Sequence, residues 1–202
     1  MEAVLPTAGQ EHAHEKFPDW VGAELPPKYM ELTEQIRALT AESAWIEKMG
    51  ALLWETGVPL AQAVRDAFSA MGFATKLVGP SANYDLAVEL DRGRRLLVQV
   101  VGSPAAIDRT APKITRILQT LQTEATDDDR VVLVANAHYT TPFRERRNEA
   151  VTPDALKLIV ALGGNFLASP TLFGIWKYSL QDLANAKRMV HDLHALAGGV
   201  YQ

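Results

Sequence analysis

The 202-residue chain contains no cysteine. That excludes disulfide staples and thiolate metal centres, and it fits a reducing cytoplasm, the location expected from the sequence. No run approaches the roughly 18 apolar residues that a membrane-spanning helix needs, so no membrane partner is expected. The stretch "MEAVLPTAGQEHAHEKF" lacks a basic segment followed by an apolar one, and does not read as a secretory signal. Net charge is only −4, which gives no general reason to expect a polyanion partner. What is present is ordinary globular composition, 48% hydrophobic and 22% charged, enough for one sizeable core plus an appendage.

The charge is unevenly placed. Residues 1–50 hold nine acids and four bases, whereas residues 92–147 hold ten bases and six acids. The second stretch carries a modest phosphate-binding character. Residues 1–28 read as a flexible leader, with four prolines and scattered charge. Its His12 and His14 have no further ligands at metal-site spacing, so a solvated tail is the simpler reading.

Residues 29–54 form a helical segment. Leu32, Ile36, Leu39, Ser43, Ile46, Gly50 and Leu53 follow alternating steps of four and three, the seam of a coiled coil. Ser43 and Gly50 weaken it. The helix either docks on its own domain or pairs with a homodimer mate or another protein.

Residues 55–202 read as one α/β domain. "ETGVPLAQAVRDAFSAMGF" restarts a helix at Pro59, with Leu60, Val64, Ala67, Phe68 and Met71 on one stripe and a stop at Gly72. "ATKLVG" and "YDLAVEL" are strands, "DRG" a hairpin turn, and "RRLLVQVVG" the returning strand. Gly102 and Ser103 are expected to turn the chain out of the sheet. A helix over "APKITRILQTLQTEA" leads to the continuous apolar strand "RVVLVANAH", which predicts a parallel crossover and a sheet covered on both faces. "TPDALKLIVALGG" is a helix capped by Thr152, "NFLAS" a last short strand, and the remainder one or two closing helices. The fold class is therefore α/β, a mixed central sheet flanked by helices with an N-terminal helical extension.

Five strings in order, "LLWETGVPLAQAVRDAFSAMGF", "YDLAVEL", "VQVVGS", "ILQTLQ" and "VVLVANAHYTTPFRERR", span about Leu52 to Leu180. Together they resemble the restriction-endonuclease-like, or PD-(D/E)xK, superfamily of phosphodiesterases. The resemblance implies a site in which carboxylates hold Mg²⁺ or Mn²⁺ beside the scissile phosphate and a lysine orients the attacking water. A Glu-x-Lys pair serves because positions i and i+2 of a strand share a face.

Carried over, Asp85 matches the first acid, but Gln99 stands where the second belongs and Val101 where the lysine belongs. Ala61 or Gln62 replaces the helix glutamate. Gln99 is a neutral ligand, and Val101 carries neither charge nor proton. Lys113, on the following helix, could swing into the lysine role. Glu89 would lie roughly 13 Å along the strand from Asp85, too far to share a metal.

The leading expectation is a catalytically inactive nuclease-like domain used for nucleic-acid or nucleotide binding or for protein assembly, with no cofactor. An active metal-dependent DNA or RNA phosphodiesterase, with Asp85 and Gln99 as metal ligands and Lys113 as the lysine, is the alternative. A purely structural interaction module is the third. Nucleic-acid contacts are expected from Arg109, Lys113, Arg116, Arg144, Arg146 and Arg147. For Asp85 the simpler role is a strand-end residue bonding backbone amides, for Gln99 a buried polar network, and for Arg146 an internal pair with a carboxylate. Asn136 is expected to tie loop backbone at the sheet edge, and His138 to be a loop residue.

Overall fold

A computed structural model describes residues 21, 24–79, 81–146, 149–196 and 198–201. Most of the leader, including His12 and His14, and also Arg147, lie outside the described residues. The chain divides into two units, Met1–Ala44 and Trp45–Gln202.

Helix α1 (Pro27–Met49) runs through the division, and α2 (Ala51–Trp54) follows it. The single helix expected over residues 29–54 is thus broken at Gly50. There the amide donates to Glu47 O at 2.9 Å, a tightened turn, and a Cβ at Gly50 would sit 2.9 Å from that same oxygen. Helix α3 (Gly57–Ala70) begins two residues before Pro59 and buries Leu60, Ala63, Val64, Ala67 and Phe68.

Six strands form one sheet in sequential order: β1 (Ala74–Leu77), β2 (Leu86–Glu89), β3 (Arg95–Ser103), β4 (Arg130–Ala137), β5 (Asn165–Ala168) and β6 (Gly199–Tyr201). The first two pairings are antiparallel and the rest parallel. The turn between β2 and β3 places Arg92 at φ 64° and Gly93 at φ 76°, the left-handed pair a tight hairpin demands. Helix α4 (Pro112–Thr123) crosses from β3 to β4, and α5 (Pro153–Ala161) from β4 to β5. Thr152 caps α5 by accepting from the Ala155 amide at 3.3 Å. The closing stretch is two helices, α6 (Ser169–Ser179) and α7 (Leu183–Ala195), the second capped by Asp182. Strand β6 was not expected: three residues are too short to show a period-2 pattern, and only pairing with β5 defines them.

The sheet is covered on both faces. Leu96, Val98, Val100, Val132 and Val134 point to the side of α3, α6 and α7, while Leu97, Val131, Leu133 and Phe166 point to the side of α4 and α5. Alternation along β3 and β4 assigns each side chain to its layer. Strand β3 runs through Gly102 and Ser103, so these residues belong to the sheet and the chain turns only afterwards. Within the second unit Trp176 is an anchor, 2% exposed, with Trp45 edge-on at 5.5 Å between ring centroids.

His194 links α7 to the turn before β4, its Nε2 lying 2.8 Å from Asp128 O. Burial lowers its pKa, and the hydrogen bond to Asp128 only partly offsets this. A base with a lowered folded pKa stabilises the fold fully above its unfolded value of about 6.5. Part of that stability is lost as the pH falls from there through the folded value. Urea midpoints measured from pH 7.5 to 5 are expected to fall for the wild type and to be flatter for His194→Gln.

Candidate functional site

The strand resembling a nuclease strand is β3, and its candidate partner Asp85 immediately precedes β2. The Asp85 amide donates to Val98 O at 2.9 Å, and its Oδ2 accepts from the Val100 amide at 2.6 Å. Lys113, the second residue of α4, sets its Nζ 2.7 Å from Oδ1 and 2.5 Å from Oδ2. Both side chains are partly shielded, 20% exposed for Lys113 and 26% for Asp85. The carboxylate is therefore fully engaged within the chain, one charge answered by one charge.

Gln99 and Val101 share the sheet face that looks toward α4. Gln99 is fully buried and donates from Nε2 to Thr120 Oγ1 at 3.2 Å, while its Oε1 has no partner among the described residues. Thr120 in turn lies 2.9 Å from Asn83 O and 2.8 Å from Arg116 O. Val101 is half-buried against the apolar layer under α4. The structure thus brings Asp85, Gln99 and Lys113 to one face, and the lysine comes from the helix rather than from position 101.

A divalent cation does not fit this arrangement. Such ions need several hard oxygen ligands, preferably charged. Among the described residues, no group of three His, Asp or Glu side chains is placed to hold a metal. Asp85 is the carboxylate present, and an ammonium already lies against both its oxygens. Gln99 adds one neutral oxygen. The acids of α3 and β2 do not fill the gap: Asp66 is taken by Lys48 at 2.6 Å and by Arg65 at 2.8 Å, and Glu89 is exposed.

The basic residues separate into distinct roles. Arg109, Arg116 and Arg144 are exposed and make no ion pair among the described residues. Lys113 is committed to Asp85. Arg146 is a clasp. Its Nε donates to Thr141 O at 2.8 Å, and Nη1 to Asn136 Oδ1 at 2.9 Å and Ala137 O at 3.2 Å. Its Nη2 donates to Leu53 O and, at 3.4 Å, to Tyr139 O. All five N–H groups are spent, and every acceptor is neutral rather than the carboxylate expected. The choice of Leu53 O is physical: it is an orphan carbonyl at the negative end of α2. Asn136, fully buried, completes the clasp by donating to Glu55 O at 2.9 Å.

Beside the clasp, a cavity of about 350 Å³ opens at the carboxyl ends of β4 and β5, with Ala137, His138, Phe143, Arg146, Pro170 and Thr171 on its walls. Carboxyl ends of parallel strands are where open α/β sheets hold ligands. His138 stands at φ 55° with Nε2 3.2 Å from Glu149 O, and Phe143 is half exposed. Asn136 lies near the end of β4 and His138 just beyond it, where the sequence places them, but the sequence gives no sign of the cavity beside His138. No periodic or spacing signal marks a space between two crossovers.

The end of β3 is packed tightly against the start of α3. A Cβ at Gly102 would lie 2.6 Å from Thr56 Cγ2 and 3.0 Å from Thr56 Cα. Gly102→Ala is expected to cost about 1–3 kcal/mol through overpacking. Thermal unfolding would register it, and Thr56→Ser, which removes the methyl but keeps the Cβ at 2.7 Å, should recover only a minor part of the loss. Compared with models of known protein families the chain matches none, and no curated protein matches it.

Proposed function

We propose that this chain is a catalytically silent, nuclease-like α/β module used for binding or assembly. One observation carries the reading: at the position of the nuclease-like strand, the Asp85 carboxylate is neutralised inside the chain by Lys113, and its neighbour at 99 is a buried neutral amide. Hydrolysis of a phosphodiester asks for surplus negative charge to gather metal and for a free base or oriented water. An internal pair supplies neither.

The nucleic-acid form of the reading rests on the exposed Arg109, Arg116 and Arg144, whose guanidinium forks suit phosphate. Plasmid, single-stranded DNA and RNA incubated with the protein in Mg²⁺ or Mn²⁺ are expected to stay intact. In mobility-shift titrations, affinity should fall as salt rises, and Arg109→Ala/Arg116→Ala/Arg144→Ala should weaken binding to all sequences alike. Absence of any salt-dependent shift would remove the nucleic-acid form and leave assembly.

A second reading, an active phosphodiesterase with a relocated lysine, is favoured by the same ammonium standing 2.5 Å from Asp85. Turnover that disappears in both Asp85→Ala and Lys113→Ala would establish it and overturn the first.

A further inference from the structure

Helix α1 exposes an apolar line. Leu32 is 45% exposed, Ile36 64%, Leu39 65% and Ile46 45%, all on the four-three spacing of a coiled-coil seam. Isolated exposed leucines need no explanation, but a periodic row of them is an interaction surface. Its layers run Tyr29, Leu32, Ile36, Leu39, Ser43, Ile46.

We propose that this seam pairs with the α1 helix of a second copy of the chain, antiparallel, with Ile36 across from Leu39, Leu32 from Ser43, and Tyr29 from Ile46 of the mate. A two-fold dimer needs a patch complementary to itself, and this row is. Small Ser43 meets large Leu32 twice.

Charge selects the direction. In a parallel, in-register pair the flanking positions bring Glu42 of one chain against Glu47 of the other, twice per dimer, and stack Ser43 on Ser43. In the antiparallel pair Gln35 flanks Glu42, Thr33 flanks Thr40, and no like charges meet. Helix length selects the register. Sliding the antiparallel pair by one heptad in either direction runs two layers of each chain past Pro27 or Met49, the ends of the mate's helix. Only the stated register keeps all six layers within it.

The inference is independent of the reading of Asp85, because a finding of cleavage would leave the α1 surface unchanged. The test uses the full chain, whose freedom from cysteine makes single-cysteine variants clean. Sedimentation equilibrium is expected to give a reversible dimer, and Leu39→Glu to return the mass to that of a monomer with an unchanged circular dichroism spectrum.

Under mild oxidation, Gln35→Cys mixed with tagged Glu42→Cys should form a mixed disulfide dimer, while neither variant alone cross-links. Leu32→Cys alone should also remain uncross-linked, since its antiparallel neighbour is residue 43. Efficient self-linking of Leu32→Cys would mean a parallel pair and would overturn the proposal. A monomer at all concentrations, with no cross-link in any combination, would overturn it equally.

Discussion

Asp129→Ala is expected to lower folding stability by about 2–4 kcal/mol, seen as a lower urea midpoint at unchanged slope. The Asp129 side chain is fully buried and accepts four hydrogen bonds. Arg95 donates two, from Nε at 3.0 Å and Nη2 at 2.6 Å; the Thr126 amide and hydroxyl donate the others at 2.8 and 2.9 Å. The pair joins the first residues of β3 to the turn that starts β4. Alanine strands the Thr126 amide and leaves Arg95 without its counter-charge; because Arg95 is one-third exposed, water recovers part of the loss. Asp129→Asn should not rescue it, since an amide NH₂ would face donors.

The pH dependence has a definite sign. Burial pushes the Asp129 pKa up, but the hydrogen bonds from Arg95 and Thr126 outweigh it, and the net direction is down. A depressed carboxyl contributes in full above its unfolded value of about 3.9. That contribution is lost as pH falls through the folded value. The stability difference between wild type and Asp129→Ala should therefore shrink below about pH 4.

Arg146→Ala is expected to cost a comparable amount, about 2–4 kcal/mol, by leaving Asn136 Oδ1 and the carbonyls of Leu53, Ala137 and Thr141 without their charged donor. Arg146→Lys should fall between, because an ammonium keeps the charge but offers three donors without the planar fork. The contrast with an exposed arginine is the discriminating observation. Arg144→Ala should stay within about 0.5 kcal/mol of wild type. If Arg146→Ala were equally silent in urea unfolding, the clasp would have no structural role and Arg146 would rejoin the exposed set.

These two residues show where sequence and structure divide. Local pattern was enough for β3 and β4, whose apolar runs must be buried on both faces, and for α3, α4 and α5, whose stripes repeat at helical spacing. Thr152 as a cap and Asn136 as an edge tie followed from residue chemistry alone. Gly50 shows the limit of periodicity: the seam continues through it, yet the backbone does not.

The amino-acid sequence by itself determined the α/β class, the mixed sheet and the poverty of charge at positions 99 and 101, because these depend on side-chain period and type. Only the tertiary structure decided that Lys113 closes on Asp85, that Arg146 gathers acceptors from Leu53 to Thr141, and that a three-residue strand completes the sheet. Those pairings join residues 28 and 93 positions apart in the first two cases. Burial and the need to satisfy every polar group choose such partners, and neither leaves a local trace in the chain.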